Sequence, residues 1–252
     1  MINTIYNTLN LLMYYMPLID YRHQATLYAQ AYSKLDLTGT GYLAFRDIPN
    51  IIKNHITGNK VLDYGCGAGK STIFLKSLGL DVTGVDINEE MIKIASSNDP
   101  VGTYNIIKSG NIAAEDNTFD LVFSSWVMME VASKEELEKI AKEIARVLKN
   151  NGIFIMLVCN ENTYNRDWLS ENTEFPENQN LTSGCKVKIL FKNINLSIYD
   201  YFWSEEDYKS MLDQANFKIL NIHKPLGTDQ DGYNWINEKI ISPFSIFIAQ
   251  KI

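Results

Sequence analysis

Runs of basic residues are missing from this sequence, which carries 23 lysines and arginines against 30 acids for a formal charge of -7. A surface that neutralises a row of phosphates needs clustered cations, so no nucleic-acid partner is expected and a small-molecule or protein substrate is favoured. Cysteine is scarce as well. Cys66, Cys159 and Cys185 are too few and too scattered for a disulfide framework or a zinc site. No metal is therefore expected, and the compartment is read as reducing and cytoplasmic. Long hydrophobic runs are also absent: the uncharged residues 1–19 lack a basic leading segment, are interrupted by asparagines and are broken by Pro17 well short of a membrane span. They read as an ordinary N-terminal helix rather than a targeting or membrane segment. Its apolar face, Ile2, Ile5, Tyr6, Leu9 and Met13, is expected to pack on the domain, on a second copy in a homodimer, or over a ligand.

What is present is enough chain for one domain with a sizeable core, since 252 residues lie within the range a single α/β unit occupies. The stretch that organises it is 61–72, VLDYGCGAGKST. A short buried strand, a turn rich in glycine and the start of a helix follow one another there, and the helix N-terminus aims unpaired N–H groups at the turn. A P-loop would need glycine five positions before Gly69, where Tyr64 stands. A dinucleotide fingerprint would need glycine where Lys70 stands. What remains is D-x-G-x-G-x-G from Asp63 to Gly69, followed about 20 residues later by Asp86 at the end of a second strand.

On these residues the chain resembles the class I S-adenosylmethionine-dependent methyltransferases of the small-molecule type. The resemblance runs from about Tyr28 to Val158 and is carried by the glycine loop, Asp86, Phe119-Asp120 and the RVLKNNG segment before an apolar strand. It implies a Rossmann-like three-layer α/β sandwich. Its seven-stranded sheet is mostly parallel with an antiparallel last strand, and an N-terminal helical cover and a β-hairpin insertion are added. The expected division is a cover over 1–57, a cofactor-binding core over 58–158, a substrate-cover insertion over 159–204, and a C-terminal helix with closing strands over 205–252.

Site residues follow from the same resemblance. Asp63, Gly65, Cys66, Gly67 and Gly69 surround the cofactor, Asp86 accepts hydrogen bonds from its ribose, and Ile87 packs on the adenine. Asn111 and Ile112 stand where the family has an acid for the adenine amino group, and Ser124 ends the strand that opens onto the methyl group. Tyr28, on a helix read over 20–35, and Arg46, near the start of a helix read over 42–55, are expected to reach the pocket from the cover. Arg46 would meet the cofactor carboxylate through its planar fork.

The insertion reads as a hairpin, 185–191 and 195–203, whose Tyr199, Tyr201, Phe202 and Trp203 offer an aromatic wall for the acceptor. Tyr233 and Trp235 in 225–243 offer another part of the rim. A base is required only where the acceptor must lose a proton, and His223, Glu130, Asp200 and His23 are the candidates. The alternatives are an NAD-dependent oxidoreductase, or a protein that binds S-adenosylmethionine without methyl transfer.

Overall fold

The computed structural model describes residues 18–19 and 25–252. The apolar face assigned to 1–17, and His23, lie outside the described residues. A strand β1 (Leu18–Ile19) comes first, where helix was expected, followed by α1 (Ala25–Tyr32), α2 (Thr40–Arg46) and α3 (Ile48–His55). The expected single helix over 42–55 is thus two. Pro49 lies in the first turn of α3, and in a continuous helix its ring would strike the Phe45 carbonyl, so the chain breaks at Asp47.

Strict alternation of strand and helix follows: β2 (Lys60–Tyr64), α4 (Lys70–Ser77), β3 (Asp81–Asp86), α5 (Glu89–Asn98) and β4 (Thr103–Ile106). Then come β5 (Phe119–Ser125), α6 (Lys134–Val147) and β6 (Leu148–Cys159). The insertion supplies β7 (Glu171–Asn172), β8 (Lys186–Phe191) and β9 (Leu196–Tyr201), and the chain closes with α7 (Glu205–Gln214), β10 (Phe217–His223) and β11 (Phe244–Lys251).

Seven strands form one sheet in the order β10-β11-β6-β5-β2-β3-β4. Strands β2 to β6 pair in parallel, while β11 runs antiparallel to both β6 and β10, as the resemblance implied. The period of two separates the layers. Val61, Leu121, Phe123, Ile153 and Ile155 face a core shared with α2, α3 and α4, whereas Leu62, Val122, Phe154 and Met156 face one shared with α6 and α7. The order reverses between β2 and β5, and the crevice beyond their carboxyl ends is where an open α/β sheet binds ligand.

The hairpin β8–β9 forms as read, and it does more than pair with itself. With β7 on one side and β1 added in parallel on the other, it makes a second sheet in the order β1-β9-β8-β7. Helix α7, which returns the chain to the main sheet, is opened by a capping box in which Ser204 Oγ accepts from the Asp207 N–H at 3.2 Å and Asp207 Oδ2 accepts from the Ser204 N–H at 3.0 Å. Ser204→Ala is expected to cost about 1 kcal/mol and to lower the melting temperature by about 2–4 °C in a thermal melt. Among the described residues no helix is long and apolar enough to cross a membrane.

Candidate functional site

The glycine loop lies where β2 meets α4, and its backbone explains its composition. Gly65 has φ of +77°, and a Cβ there would fall 2.1 Å from Val127 Cγ2. Gly67 has φ of +49°, and a Cβ there would enter the open cleft, with Met91 Sδ as its nearest neighbour at 3.9 Å. Both positions demand glycine, and the second keeps the backbone bare toward a ligand. Asp86 at the end of β3 braces this loop: Oδ2 accepts from the Gly67 N–H and Oδ1 from the Asn88 N–H, each at 2.8 Å. Burial pushes its carboxyl up, opposed by the backbone N–H groups of Asn88, Gly67 and Ile87.

Asp63 lies beneath the loop. Its Oδ2 accepts from Ser71 Oγ and Thr72 Oγ1, both at 2.6 Å, and burial raises its pKa to about 6. It ties β2 to the first turn of α4. Across the cleft, Trp126 follows β5 with φ of +58°, a conformation that bulky residues rarely adopt. Its N–H donates to the Leu157 carbonyl at 2.9 Å, and its ring lies 5.6 Å from that of Phe45 and 5.7 Å from that of Phe244. Neighbours on several sides hold this strained indole at the cleft wall.

Two joined cavities result. One runs over Asp86, Ile87, Asn88, Met91, Ile107 and Ser109. The other, about 1010 Å³ including its mouth, runs from Gly65, Cys66, Gly67 and Lys70 to the second sheet. They share Tyr32, Gly65, Gly67, Ser125, Trp126 and Glu130. Helix α1 roofs the junction: the Tyr28 and Tyr32 rings stack at 5.0 Å, the Tyr28 hydroxyl donates to Glu130 Oε1 at 2.7 Å, and Asn88 Nδ2 donates to the Ala25 carbonyl at 3.2 Å.

Residues 62–156 match the methyltransferase domain family. An uncharacterized protein of Methanocaldococcus jannaschii is 32% identical over 234 residues, covering 89% of this chain and 88% of that one. An uncharacterized methyltransferase of Synechocystis sp. is 28% identical over 166 residues, covering 66% of this chain and 70% of that one. The chain belongs to the class I S-adenosylmethionine-dependent methyltransferases. A SAM-dependent methyltransferase from Methanosarcina mazei shares its fold, with a TM-score of 0.60 and 23% identity over 80% of this chain and 97% of that one. S-adenosylmethionine is the cofactor, and the residues present fit it: the bare backbone at Gly67, the Asp86 carboxylate lining the cavity, and the apolar Ile87, 47% exposed beside it.

The methyltransferase places its sequence-predicted residues unevenly. Gly65, Cys66, Gly67, Asp86, Ile87, Tyr28, Glu130 and Asp200 line the cavities. Asp63 is sealed below, and Gly69 packs behind the loop near Tyr104 and Ala95. Ser124 points away from the cleft and its neighbour Ser125 into it, because side chains alternate along β5. Asn111 and Ile112 require correction. Strand β4 ends at Ile106, and Lys108 bridges to Asn111 across a tight turn with Gly110 at φ of +61°. That turn leaves Asn111 exposed, buries Ile112 against α6, and presents Ser109 to the cleft.

Arg46 is also corrected. Its guanidinium is held by Asp47 at 2.9 Å, Asp231 at 3.2 Å and the Leu226 carbonyl at 2.9 Å, outside both cavities. His223 is held at the same place, with Nε2 2.7 Å from Asp47 Oδ2. Lys70, which a glycine fingerprint treats only as a mismatch, lines the cavity at the start of α4.

The acceptor wall differs in its residues. Tyr199 and Tyr201 fall on the face of β9 opposite to Ile198 and Asp200, and the latter pair meets the cavity. Phe202 and Trp203 are buried in the cores, Trp203 donating to the Val131 carbonyl at 3.0 Å. Tyr233 and Trp235 do not line either cavity. Tyr233 packs on Tyr42 at 5.4 Å and on Trp235 at 4.8 Å.

Glu171 was missed because nothing in its local sequence marks it. It pairs with Phe191 across β7–β8, so the two share the face that Ile189 presents to the cavity. Burial, and then Glu238, raise its pKa to about 7, partly offset by Lys192. A carboxyl whose folded pKa lies above its unfolded value of about 4.3 contributes most to stability below that value and loses the contribution as pH rises through about 7. Glu171→Gln is therefore expected to raise the melting temperature relative to wild type more at pH 8 than at pH 5, as paired thermal melts will show.

Proposed function

We propose that this methyltransferase transfers the methyl group of S-adenosylmethionine to a small-molecule acceptor bound between the glycine loop and the second sheet. The observation that carries the reading is the continuity of the two cavities through Trp126 and Glu130. A cofactor laid from Ile87 to Gly67 meets an acceptor chamber at its reactive end. Asp86 would hold the ribose, Ile87 and Ile107 the adenine faces, and Ser109 the adenine edge in place of Asn111. Gly65, Gly67 and Lys70 would hold the amino-acid end, with Lys70 supplying the cation that Arg46 does not. Bound there, the cofactor supplies an electrophilic methyl on a sulfonium. The chain's own part is to align an acceptor with the C–S bond and to keep water out, which the aromatic roof of Tyr28 and Tyr32 favours.

The chamber's apolar lining, Phe45, Trp126, Met129, Ile189, Phe191 and Ile198, encloses a concave space. This shape supports a compact acceptor over a polymer strand. Free Cys66, Cys159 and Cys185 support a cytoplasmic setting. Incubation with methyl-labelled cofactor and a cell extract split by ultrafiltration tests the reading. Label is expected in the low-mass fraction, and label confined to protein or nucleic acid would overturn it.

A further inference from the structure

The acceptor chamber contains two carboxyls that have no hydrogen-bond or ion-pair partner among the described residues. Asp200 is 3% exposed and Glu171 7% exposed, both line the chamber, and among the described residues no hydrogen bond reaches either side chain. They enter from the second sheet, Asp200 on β9 and Glu171 on β7, and Glu130, in the turn after β5 that packs against β9, lines the same chamber. Of the described charged side chains that line the chamber, four are acids, Asp36, Glu130, Glu171 and Asp200, and one is a base, Lys70 at the glycine loop. Buried carboxyls without partners are costly, and such a cost persists where a ligand removes it.

We infer that the acceptor is an amine, received as its ammonium by Asp200, with Glu171 and Glu130 adding negative potential and Trp126, Tyr32 and Phe191 supplying aromatic faces. This inference rests on the methyl-transfer reading above. An ammonium offers the donors that Asp200 lacks, and the ring faces attract a desolvated cation. A neutral or anionic acceptor would leave the carboxyl unpaired or add repulsion. Burial, and then Glu130 and Glu171, push the Asp200 carboxyl up in the empty chamber. A bound cation offsets that push, and Asp200 then serves as base as well as anchor.

The step balances. The ammonium passes one proton to the Asp200 carboxylate, and the freed nitrogen lone pair forms the N–C bond to the methyl. The C–S pair leaves on sulfur, giving neutral S-adenosylhomocysteine and an N-methylated ammonium, and the proton on Asp200 returns to solvent as the products depart.

The test is calorimetric titration of the full chain, saturated with S-adenosylhomocysteine, with two matched series: hexylamine, hexanol and hexanoate, and 2-phenylethylamine, 2-phenylethanol and 3-phenylpropionate. The amine of at least one series is expected to bind at least about ten-fold more tightly than its partners. Asp200→Asn is expected to abolish that preference and Glu171→Gln to reduce it, with affinity for S-adenosylhomocysteine unchanged and the melting temperature equal or higher. Both substitutions keep side-chain shape and remove a buried charge, so folding is retained. Equal binding across each series, absence of amine binding, or a preference that survives Asp200→Asn overturns the inference and leaves methyl transfer standing. Failure of S-adenosylhomocysteine to saturate the wild-type chain overturns the underlying reading instead.

Discussion

Asp86→Ala is expected to weaken S-adenosylmethionine binding about 100-fold in a calorimetric titration. The carboxylate would accept from two ribose hydroxyls, and hydrogen bonds to a charged group contribute about 1.5 kcal/mol each or more, together about 3 kcal/mol. The substitution also frees the Gly67 N–H, held at 2.8 Å in the intact protein, so the turn loses its brace where the backbone must stay close to the ligand. Asp86→Asn keeps one carbonyl oxygen as acceptor and is expected to fall between wild type and alanine. Affinity within a few-fold of wild type in the alanine variant would show that the ribose is held elsewhere.

Trp168→Ala carries the largest expected cost to folding. The indole is fully buried, and Nε1 donates to the Thr163 carbonyl at 2.8 Å, closing the loop between β6 and β7 on itself. Removing a buried tryptophan leaves a cavity worth about 3–5 kcal/mol, a fall in melting temperature on the order of 10 °C for a chain of this size. The loop also carries Ser170, which accepts from the Thr40 N–H at 3.1 Å, and the Leu169 N–H, which donates to buried Glu238 at 2.7 Å. Its loosening is therefore expected to disturb the acceptor chamber before the cofactor cleft. An unchanged melting temperature would mean that the insertion is held by other contacts.

The core was legible in the sequence because its signals are local. The run through Asp63, three alternating glycines and an acid at the end of the next strand fix a turn, a helix start and a crevice within thirty residues. The apolar run 152–158 marked the buried strand beside it in the same way. The chamber was not legible to the same degree. Which aromatic residues of β9 face the chamber depends on a period of two whose phase the sequence does not set, and the tertiary placement chose Ile198 and Asp200 over Tyr199 and Tyr201. Arg46 was read from the resemblance and its planar fork, yet Asp231, 185 residues away, claims it in space. Asn111 was displaced by a four-residue turn that a propensity reading continues as strand. Glu171 acquires its meaning only by pairing with Phe191.

The central claim is that the cleft over Gly67 and Asp86 is built for S-adenosylmethionine. Calorimetric titration of the wild-type chain with S-adenosylmethionine, S-adenosylhomocysteine and NAD tests it most directly. Both sulfur nucleotides are expected to bind at one shared site, with NAD neither binding there nor displacing them. Binding of NAD in their place, or of none of the three, would contradict it.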